Sequence, residues 1–288
     1  MDALEQSSSG SPLGRMTAFR GRCRSAAVPT PSGQLNYVVA GHGDQAVLVL
    51  PGAVGTSDSV FPVVEALSST YRAIAPTYAI AEGMNEMCGS LTAVMDAEGV
   101  RQAIVVGSSF GGVVAQCLAR RAPSRVRALV LAHTFVPRAD DAWKFRLAHL
   151  VLRMLPAGAI HGLLRRRVNN VIVRPLQEAG HQDLDMWRAY FEGSGTALFS
   201  PDALLAQQRC LRDAAIGSDL TRPLSAALAS RVLILQSDND PVIRDKDRRA
   251  LVARYPGAAV HTFAGTGHIT PLLATDAYIA VIREFLSR

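Results

Sequence analysis

The chain has 288 residues, of which 49% are hydrophobic and 19% are charged. This composition excludes a disordered, collagen-like or coiled-coil protein, and the length suffices for a substantial buried core. The longest apolar runs, such as Ala46–Leu50 and Val126–Ala132, are too short to cross a bilayer, so we expect no membrane span. The sequence is typical of a soluble globular protein.

The formal net charge is +6, with 30 basic residues against 24 acidic ones. Only Lys144 and Lys246 are lysines, and the arginines are spread along the whole chain. The tightest basic run, Arg165-Arg166-Arg167, is too short to follow a phosphate backbone, and no zinc-finger spacing or aromatic–basic RNA motif accompanies it. We therefore expect no nucleic-acid partner and interpret the charge as arginine-rich surface.

The first 33 residues are rich in serine, proline and arginine, without an apolar block that could serve as a signal peptide. This composition predicts a flexible leader over residues 1–33. The four cysteines, Cys23, Cys88, Cys117 and Cys210, are scattered and form no C-x-x-C pair. Their spacing argues against a metal site and favours free thiols in a reducing, cytoplasmic compartment.

From residue 34 onward, short apolar runs alternate with segments of helical period. Strands are predicted at 34–40, 46–50, 71–76, 102–107, 126–132, 232–236 and 259–263. Helices are predicted at about 57–69, 82–99, 110–121, 244–255 and 276–286. This alternation predicts an α/β fold with a doubly wound, mostly parallel sheet.

The alternation breaks between residues 133 and 218, where helix-like segments carry large apolar side chains and only residues 171–173 are ambiguous. An insertion of this kind in a doubly wound sheet predicts a helical cap over the carboxyl edge of the strands. The expected organisation is thus a leader over 1–33, a first core part over 34–132, a cap over 133–218 and a second core part over 219–288.

The sharpest motif is Gly107-Ser108-Ser109-Phe110-Gly111, which lies between a predicted strand and a predicted helix. A serine on such a tight turn has strained backbone angles and needs nearly side-chain-free neighbours, which is the physical basis of the G-x-S-x-G pattern. Ser109 has a glycine two residues away on each side and is our candidate nucleophile, whereas Ser108 lacks that symmetry.

A serine hydroxyl needs a base that is held by an acid. Asp240 follows the strand predicted at 232–236 and precedes a proline, and it is our candidate acid, with Asp238 as the alternative. His268 lies in a glycine-rich loop between the last predicted strand and the final helix and is the candidate base. The order serine, acid, histidine agrees with a strand–turn–helix nucleophile of this type.

The oxyanion of an acyl-transfer reaction needs preorganised backbone donors. We expect one from the amide of Phe110 and the other from the loop after residue 50, where Ala53 is the first candidate and Val54 the second. Residues that could contact the substrate are Val54, His133, Trp143, Trp187 and Phe191. Cap aromatics at helical spacing are nevertheless more often core residues than substrate contacts.

From about residue 34 onward, the chain resembles the α/β-hydrolase superfamily. The resemblance lies in the order and spacing of four features: the glycine-flanked turn at Ser109, the acid Asp240, the histidine His268 and the Pro51-Gly52 loop. Pro51 stands where histidine is common, and neither this difference nor Ser108 removes a catalytic group. Residues 109–116 and 129–135 also resemble, more loosely, the maspardin-type branch, in which the acid and histidine can be lost.

The resemblance implies a serine hydrolase that acts on a carboxylic ester or related acyl substrate through an acyl-enzyme intermediate, with no metal or other cofactor. The expected partner is a small, apolar acyl substrate. The sequence leaves open other reactions on the same fold, namely C–C bond hydrolysis, a lyase step or a cyclisation, as well as a non-catalytic binding protein. It also leaves the oligomeric state open.

Overall fold

The computed structural model describes residues 12–193 and 200–288. Its strands form one sheet in the order β1-β2-β4-β3-β5-β6-β7-β8. The pairs β1–β2 and β2–β4 are antiparallel, and all other neighbouring pairs are parallel. The strand bounds are β1 Arg24–Thr30, β2 Gly33–Ala40, β3 Ala46–Leu50, β4 Arg72–Thr77, β5 Ala103–Ser108, β6 Val126–Ala132, β7 Val232–Ser237 and β8 Ala259–Phe263.

Helices cover both faces of this sheet. One apolar cluster includes side chains of α3, α4 and α11, and a second includes side chains of α1, α2, α8 and α13. The helix bounds are α1 Gly14–Arg22, α2 Phe61–Ser68, α3 Met84–Ala97, α4 Phe110–Arg121, α5 Ala142–Met154, α6 Ala157–Val168, α7 Arg174–Glu178, α8 Leu184–Gly193, α9 Pro201–Ile216, α10 Ala226–Ala229, α11 Asp245–Arg254, α12 Thr270–Leu273 and α13 Thr275–Ser287. The predicted fold class is confirmed.

The central strands are buried on both faces because they lie between the two helical layers. In β3, Leu48 and Leu50 belong to one apolar cluster, while Val47 and Val49 belong to the other. This alternation follows from the two-residue period of a strand, and a parallel sheet covered on both sides leaves no position for polar residues. The continuous apolar run of β3 is therefore the sequence signature of its central place.

The prediction of a flexible leader over residues 1–33 is wrong for most of the residues in this range that the structure describes. Helix α1 buries Met16 and Phe19, and the Phe19 ring lies 5.5 Å from that of Phe61 on α2. Strand β1 then adds an antiparallel edge to the sheet beside β2. Only two apolar residues of α1 are buried, so this short helix carries too weak a pattern to be recognised; residues 1–11 lie outside the described residues.

All described elements between β6 and β7 are helical, in the region where the sequence predicts a cap. The ambiguous residues 171–173 belong to a π-helical turn, Asn169–Val173, that joins α6 to α7. Residues 194–199 lie outside the described residues, and the exact cap boundaries stay a prediction. Among the described helices, none combines the length and apolarity needed to cross a bilayer.

The turn between β5 and α4 packs tightly against the loop after β3. A Cβ atom on Gly111 would lie 2.4 Å from the carbonyl oxygens of both Leu50 and Pro51, which belong to the end of β3 and the loop that follows it. A Cβ atom on Gly107 would likewise lie 2.4 Å from the carbonyl oxygen of Gly111. Backbone contacts this short leave space only for glycine.

We expect Gly111→Ala to destabilise the protein by about 1–3 kcal/mol or more, because the added methyl group must push the loop after β3 away from α4. The matched control is Gly89→Ala in α3, where a Cβ atom meets nothing within 4 Å. That substitution should be neutral or should stabilise by up to about 1 kcal/mol. Urea denaturation of both variants measures the difference, and equal stability of the two would contradict this packing argument.

Candidate active site

Ser109 occupies the strained position of the turn between β5 and α4. Its φ is 53° and its ψ is −118°, a conformation that residues other than glycine rarely adopt. Four hydrogen bonds hold it there. Its amide donates to the Ala132 carbonyl oxygen (2.9 Å), and its carbonyl oxygen accepts from Thr134 Oγ1 (2.7 Å) and from the amides of Gly112 (3.0 Å) and Val113 (3.3 Å). The turn thus presents the Ser109 side chain at the amino end of α4.

The loop after β3 passes directly beside Ser109. A Cβ atom on Gly52 would lie 3.4 Å from Cβ of Ser109, so the two backbones are in close contact. The loop is closed by a hydrogen bond from the Gly55 amide to the Gly52 carbonyl oxygen (3.0 Å), and Gly55 has a φ of 77°. Ala53 and Val54, the two predicted oxyanion donors of this loop, are the central residues of the turn.

Three side chains that the sequence reasoning missed hold this loop in place. Tyr78 donates from its hydroxyl to the Pro51 carbonyl oxygen (3.0 Å), and Gln207 donates from Nε2 to the Ala53 carbonyl oxygen (2.6 Å). The hydroxyl of Tyr190 lies 2.6 Å from Oγ1 of Thr56. Tyr78 follows β4 at the carboxyl edge, a position that could have identified it. Gln207 and Tyr190 come from α9 and α8 and carry no local sequence signal.

Asp240 and His268 form the second half of the site. Nδ1 of His268 lies 2.9 Å from Oδ2 and 3.1 Å from Oδ1 of the Asp240 carboxylate. Oδ1 also accepts hydrogen bonds from the amides of Val242 (2.8 Å) and Ile243 (2.9 Å). Burial alone would raise the pKa of Asp240, but hydrogen bonds from His133, His268 and the Ile243 amide hold that pKa well below its usual range. The acid is therefore ionised at neutral pH.

The alternative acid, Asp238, has a different partner. Its side chain is exposed, and its Oδ1 accepts a hydrogen bond from the Gly265 amide (2.8 Å). The next residue, Asn239, accepts from the Gly267 amide through Oδ1 (2.8 Å). These bonds fasten the loop after β8 to the loop after β7, and the geometry favours Asp240 over Asp238 as the partner of His268.

His133 is the unexpected member of this cluster. It follows β6 with a φ of 45°, and its Nδ1 lies 3.3 Å from Oδ2 of Asp240. Its side chain is 0% exposed, and its ring centroid is 6.0 Å from that of His268. Burial lowers the pKa of His133, an effect that its hydrogen bond to Asp240 only partly offsets, so the imidazole is neutral. The described contact of His133 is thus with the acid Asp240, and its predicted contact with substrate stays a prediction.

A comparison with protein families agrees with this arrangement. The model of the alpha/beta hydrolase fold matches residues 45–275. The chain belongs to the α/β-hydrolase fold family. The prediction of an enzyme of this superfamily is confirmed at the level of the family.

Two curated proteins illustrate its relatives in the α/β-hydrolase fold family. A 2-hydroxymuconate semialdehyde hydrolase from Pseudomonas putida is 28% identical over 200 residues, which cover 67% of this chain and 66% of that protein. A rhodomycin D methylesterase from Streptomyces sp. (strain C5) is 27% identical over 219 residues, which cover 69% of this chain and 72% of that protein. The chain thus spans just under two thirds of the length of the first relative.

Solved structures of α/β hydrolases superpose on most of the chain. A hydrolase from Pseudomonas aeruginosa has a TM-score of 0.75 and 19% identity and covers 92% of this chain and 99% of its own. A meta-cleavage product hydrolase from Pseudomonas fluorescens has a TM-score of 0.67 and 22% identity, with coverage of 91% and 97%. At these identities the likeness shows the fold alone.

The other predicted substrate contacts lie elsewhere in the fold. Trp187 and Phe191 of α8 are buried, and the Trp187 ring lies 5.7 Å from that of Phe61 on α2. They are core residues because α8 packs its apolar face into the cluster that it shares with α1 and α2, which corrects their predicted role. Trp143 is 61% exposed on α5, and its predicted contact with substrate stays a prediction. Val54 is half-buried in the loop beside Ser109 and stays a candidate.

His133, Asp240 and His268 each place one potential metal-ligand atom within 4.8 Å of the others. This spacing is within reach of a transition metal. The Nδ1 atoms of both histidines, however, already lie at hydrogen-bond distance from the buried carboxylate of Asp240. The geometry is thus accounted for by a hydrogen-bonded network, and we interpret the cluster as such.

The buried imidazole of His133 makes stability depend on pH. Its pKa lies below the ordinary value of 6.5 in the folded protein, so between about pH 7 and 5 the unfolded chain binds a proton that the folded protein does not. The free energy of unfolding should therefore fall as the pH falls, by up to about 1.4 kcal/mol per pH unit from this residue. We expect His133→Asn to flatten that dependence in urea denaturation.

Asparagine suits this test because its amide can donate to Asp240 as Nδ1 does and because it tolerates a positive φ. The control is His261→Asn, which replaces an exposed histidine of β8 and should retain the wild-type steepness. An equally steep pH dependence in His133→Asn would show that the proton is taken up elsewhere.

Proposed function

We propose that this protein is a serine hydrolase that cleaves a carboxylic ester or related acyl substrate with Ser109, His268 and Asp240. The observation that carries the proposal is the strained turn at Ser109, at the same sheet edge as a histidine that is hydrogen-bonded to a buried, ionised carboxylate. Such strain persists only where the surrounding structure fixes it, and it is typical of a nucleophile held at a strand-to-helix turn.

In the first half of the reaction, Oγ of Ser109 attacks the acyl carbonyl carbon while Nε2 of His268 takes the hydroxyl proton. The Asp240 carboxylate accepts the Nδ1–H of His268, which leaves Nε2 unprotonated and ready to act as the base. The resulting imidazolium gives its proton to the leaving alcohol as the carbon–oxygen bond breaks. An acyl-Ser109 ester remains.

In the second half, water attacks the acyl carbon while His268 again takes a proton, and the acid product leaves as Ser109 regains its hydrogen. The oxyanion formed in each half would be stabilised by the amides of Phe110 and Ala53. Phe110 is the first residue of α4, so its amide has no acceptor within the helix. Ala53 belongs to the loop that Gln207 and Tyr78 hold beside the serine. Chemistry of this type requires only side chains, backbone amides and water.

A second candidate is the hydrolysis of a C–C bond on the same fold. It is favoured by the 28% identity to a 2-hydroxymuconate semialdehyde hydrolase, whereas the ester reaction is favoured by the 27% identity to a rhodomycin D methylesterase. The two reactions differ in the leaving group, because a C–C hydrolase must protonate a carbon atom rather than an alcohol oxygen. The same serine and histidine could serve either reaction.

The nucleophile is tested by labelling with a fluorophosphonate probe, which phosphonylates an activated serine. We expect wild-type protein and Ser108→Ala to be labelled and Ser109→Ala to remain unlabelled. Asp240→Asn should slow labelling by about 10³-fold or more, since His268 then loses the partner that sets its tautomer. Absence of labelling in folded wild-type protein would reject the serine-hydrolase proposal and favour a binding protein.

The reaction type is tested with p-nitrophenyl esters of increasing acyl length beside a meta-cleavage dienone substrate. We expect ester hydrolysis by wild-type protein, with a loss of about 10⁴-fold or more in kcat for Ser109→Ala. Turnover of the dienone with only trace ester hydrolysis would select the C–C bond reaction instead. Release of p-nitrophenol that persists in Ser109→Ala would indicate background chemistry.

A further inference from the structure

Helix α5 carries large apolar side chains on a face that no other described element covers. Trp143, Leu147, Leu150, Val151 and Met154 are 61%, 50%, 48%, 45% and 85% exposed. Their spacing places them on one stripe of the helix about 100° wide. We call these five residues the cap stripe. The opposite face of α5, with the less exposed Phe145 and Leu152, packs against α9.

Positive charge is concentrated on the cap stripe's own helix and on the helix that follows it. Residues 142–168, which make up α5 and α6, contain no aspartate or glutamate. The basic residues of this segment are Lys144, Arg146, Arg153, Arg165, Arg166 and Arg167, and all six are exposed. This one segment therefore carries a charge equal to the whole formal net charge of the chain, +6.

The basic side chains of the segment are also largely unpaired. Lys144 forms an ion pair with Asp141, whereas the five arginines form none with the described residues. On α5, Lys144 follows Trp143 on one side of the cap stripe, while Arg146 and Arg153 lie on the other side. Positions that flank an apolar stripe in this way let cationic heads reach a surface that the stripe contacts.

We propose that the cap stripe of α5, with the basic residues that flank it, docks on an anionic lipid surface. An amphipathic helix with tryptophan and leucine on one face and arginine at its edges lies in the plane of a membrane interface, with its apolar face at the boundary of headgroups and acyl chains. Basic residues near such a surface are attracted by anionic headgroups. Docking of this kind requires no spanning helix and is independent of the chemistry at Ser109.

The charge distribution favours a lipid surface over two other partners for the cap stripe, a second copy of the chain and a nucleic acid. A second copy of the chain seated on the same face would bring two segments of charge +6 together, with no acidic residue in either to offset the repulsion. A nucleic acid would neutralise the arginines but would leave the cap stripe without an apolar partner. An anionic bilayer satisfies both the charge and the apolar area.

Binding is measured by co-sedimentation of the full chain with vesicles of phosphatidylcholine alone and of equal parts phosphatidylcholine and phosphatidylglycerol. We expect binding to the anionic vesicles, weakened by high salt, and little binding to phosphatidylcholine. The two tryptophans provide a second readout, since Trp143 is 61% exposed and Trp187 only 1%. The fluorescence of Trp143 should shift to the blue on binding, and Trp143→Phe should abolish that shift.

Matched variants separate the cap stripe from the general surface. Leu147→Ser with Met154→Ser should abolish vesicle binding, whereas Val260→Ser, at an exposed valine of β8, should not change it. Arg146→Gln with Arg153→Gln should weaken binding by about fivefold per arginine. The control pair, Arg101→Gln with Arg127→Gln, also replaces exposed arginines and should have little effect. All variants should retain the fluorophosphonate labelling of wild type, which reports an intact fold.

Three results would overturn the proposal. The first is wild-type protein that stays in solution with anionic vesicles. The second is vesicle binding that the cap-stripe variant retains. The third is a different occupant, seen either as a dimer in light scattering that the cap-stripe variant dissociates or as binding to duplex DNA in place of vesicles.

Discussion

The rest of the site depends on one buried negative charge, the carboxylate of Asp240. An ionised group removed from water is stable only when its lone pairs are satisfied, and here two backbone amides and two imidazoles satisfy them. The amides of Val242 and Ile243 fix the carboxylate, so the carboxylate in turn fixes His268. His133 occupies the remaining side and, being buried and neutral, adds a hydrogen bond without a competing positive charge. A solvent-exposed acid such as Asp238 could not orient a histidine in this way, because water would share its lone pairs.

A second constraint is steric and joins the sheet edge to the helices between β6 and β7. Gly111 lies so close to the carbonyl oxygens of Leu50 and Pro51 that the serine turn and the loop after β3 cannot move independently. The same loop is held from above by Gln207 of α9, the helix on which α5 packs. A chain of direct contacts therefore connects α5, through α9, to the backbone beside Ser109. A shift of α9 would therefore change the position of Ala53, because the carbonyl oxygen of Ala53 accepts the hydrogen bond from Gln207.

Sequence reasoning succeeded where local pattern and fold agree. The strands at 46–50 and 126–132 and the helix at 110–121 match the structure to the residue, because two-sided burial and a strand-to-helix glycine turn leave clear signals. It failed where a side chain's role depends on distant partners. The buried Trp187 and the exposed Trp143 have similar local patterns, and their different environments follow from what packs against each helix. His133 carried no signal of its bond to Asp240, which is more than a hundred residues away.

The net charge of the chain is a second case in which the sequence pattern does not reveal what the three-dimensional arrangement does. Summed over the chain, an excess of six positive charges among scattered arginines is ordinary for a protein surface. The total by itself does not indicate that the excess lies on one part of that surface. The 24 basic residues outside the 142–168 segment are balanced by 24 acidic ones, and many of them form ion pairs across the surface, such as Arg20 with Asp58 and Arg121 with Asp219. The excess therefore lies in one place, on the two helices that also expose the largest run of apolar side chains. A protein that only needed solubility would gain from spreading such charge away from apolar surface and from pairing it. Concentrated and largely unpaired positive charge beside an apolar stripe is instead typical of a surface that binds a partner both anionic and apolar, such as an anionic lipid bilayer.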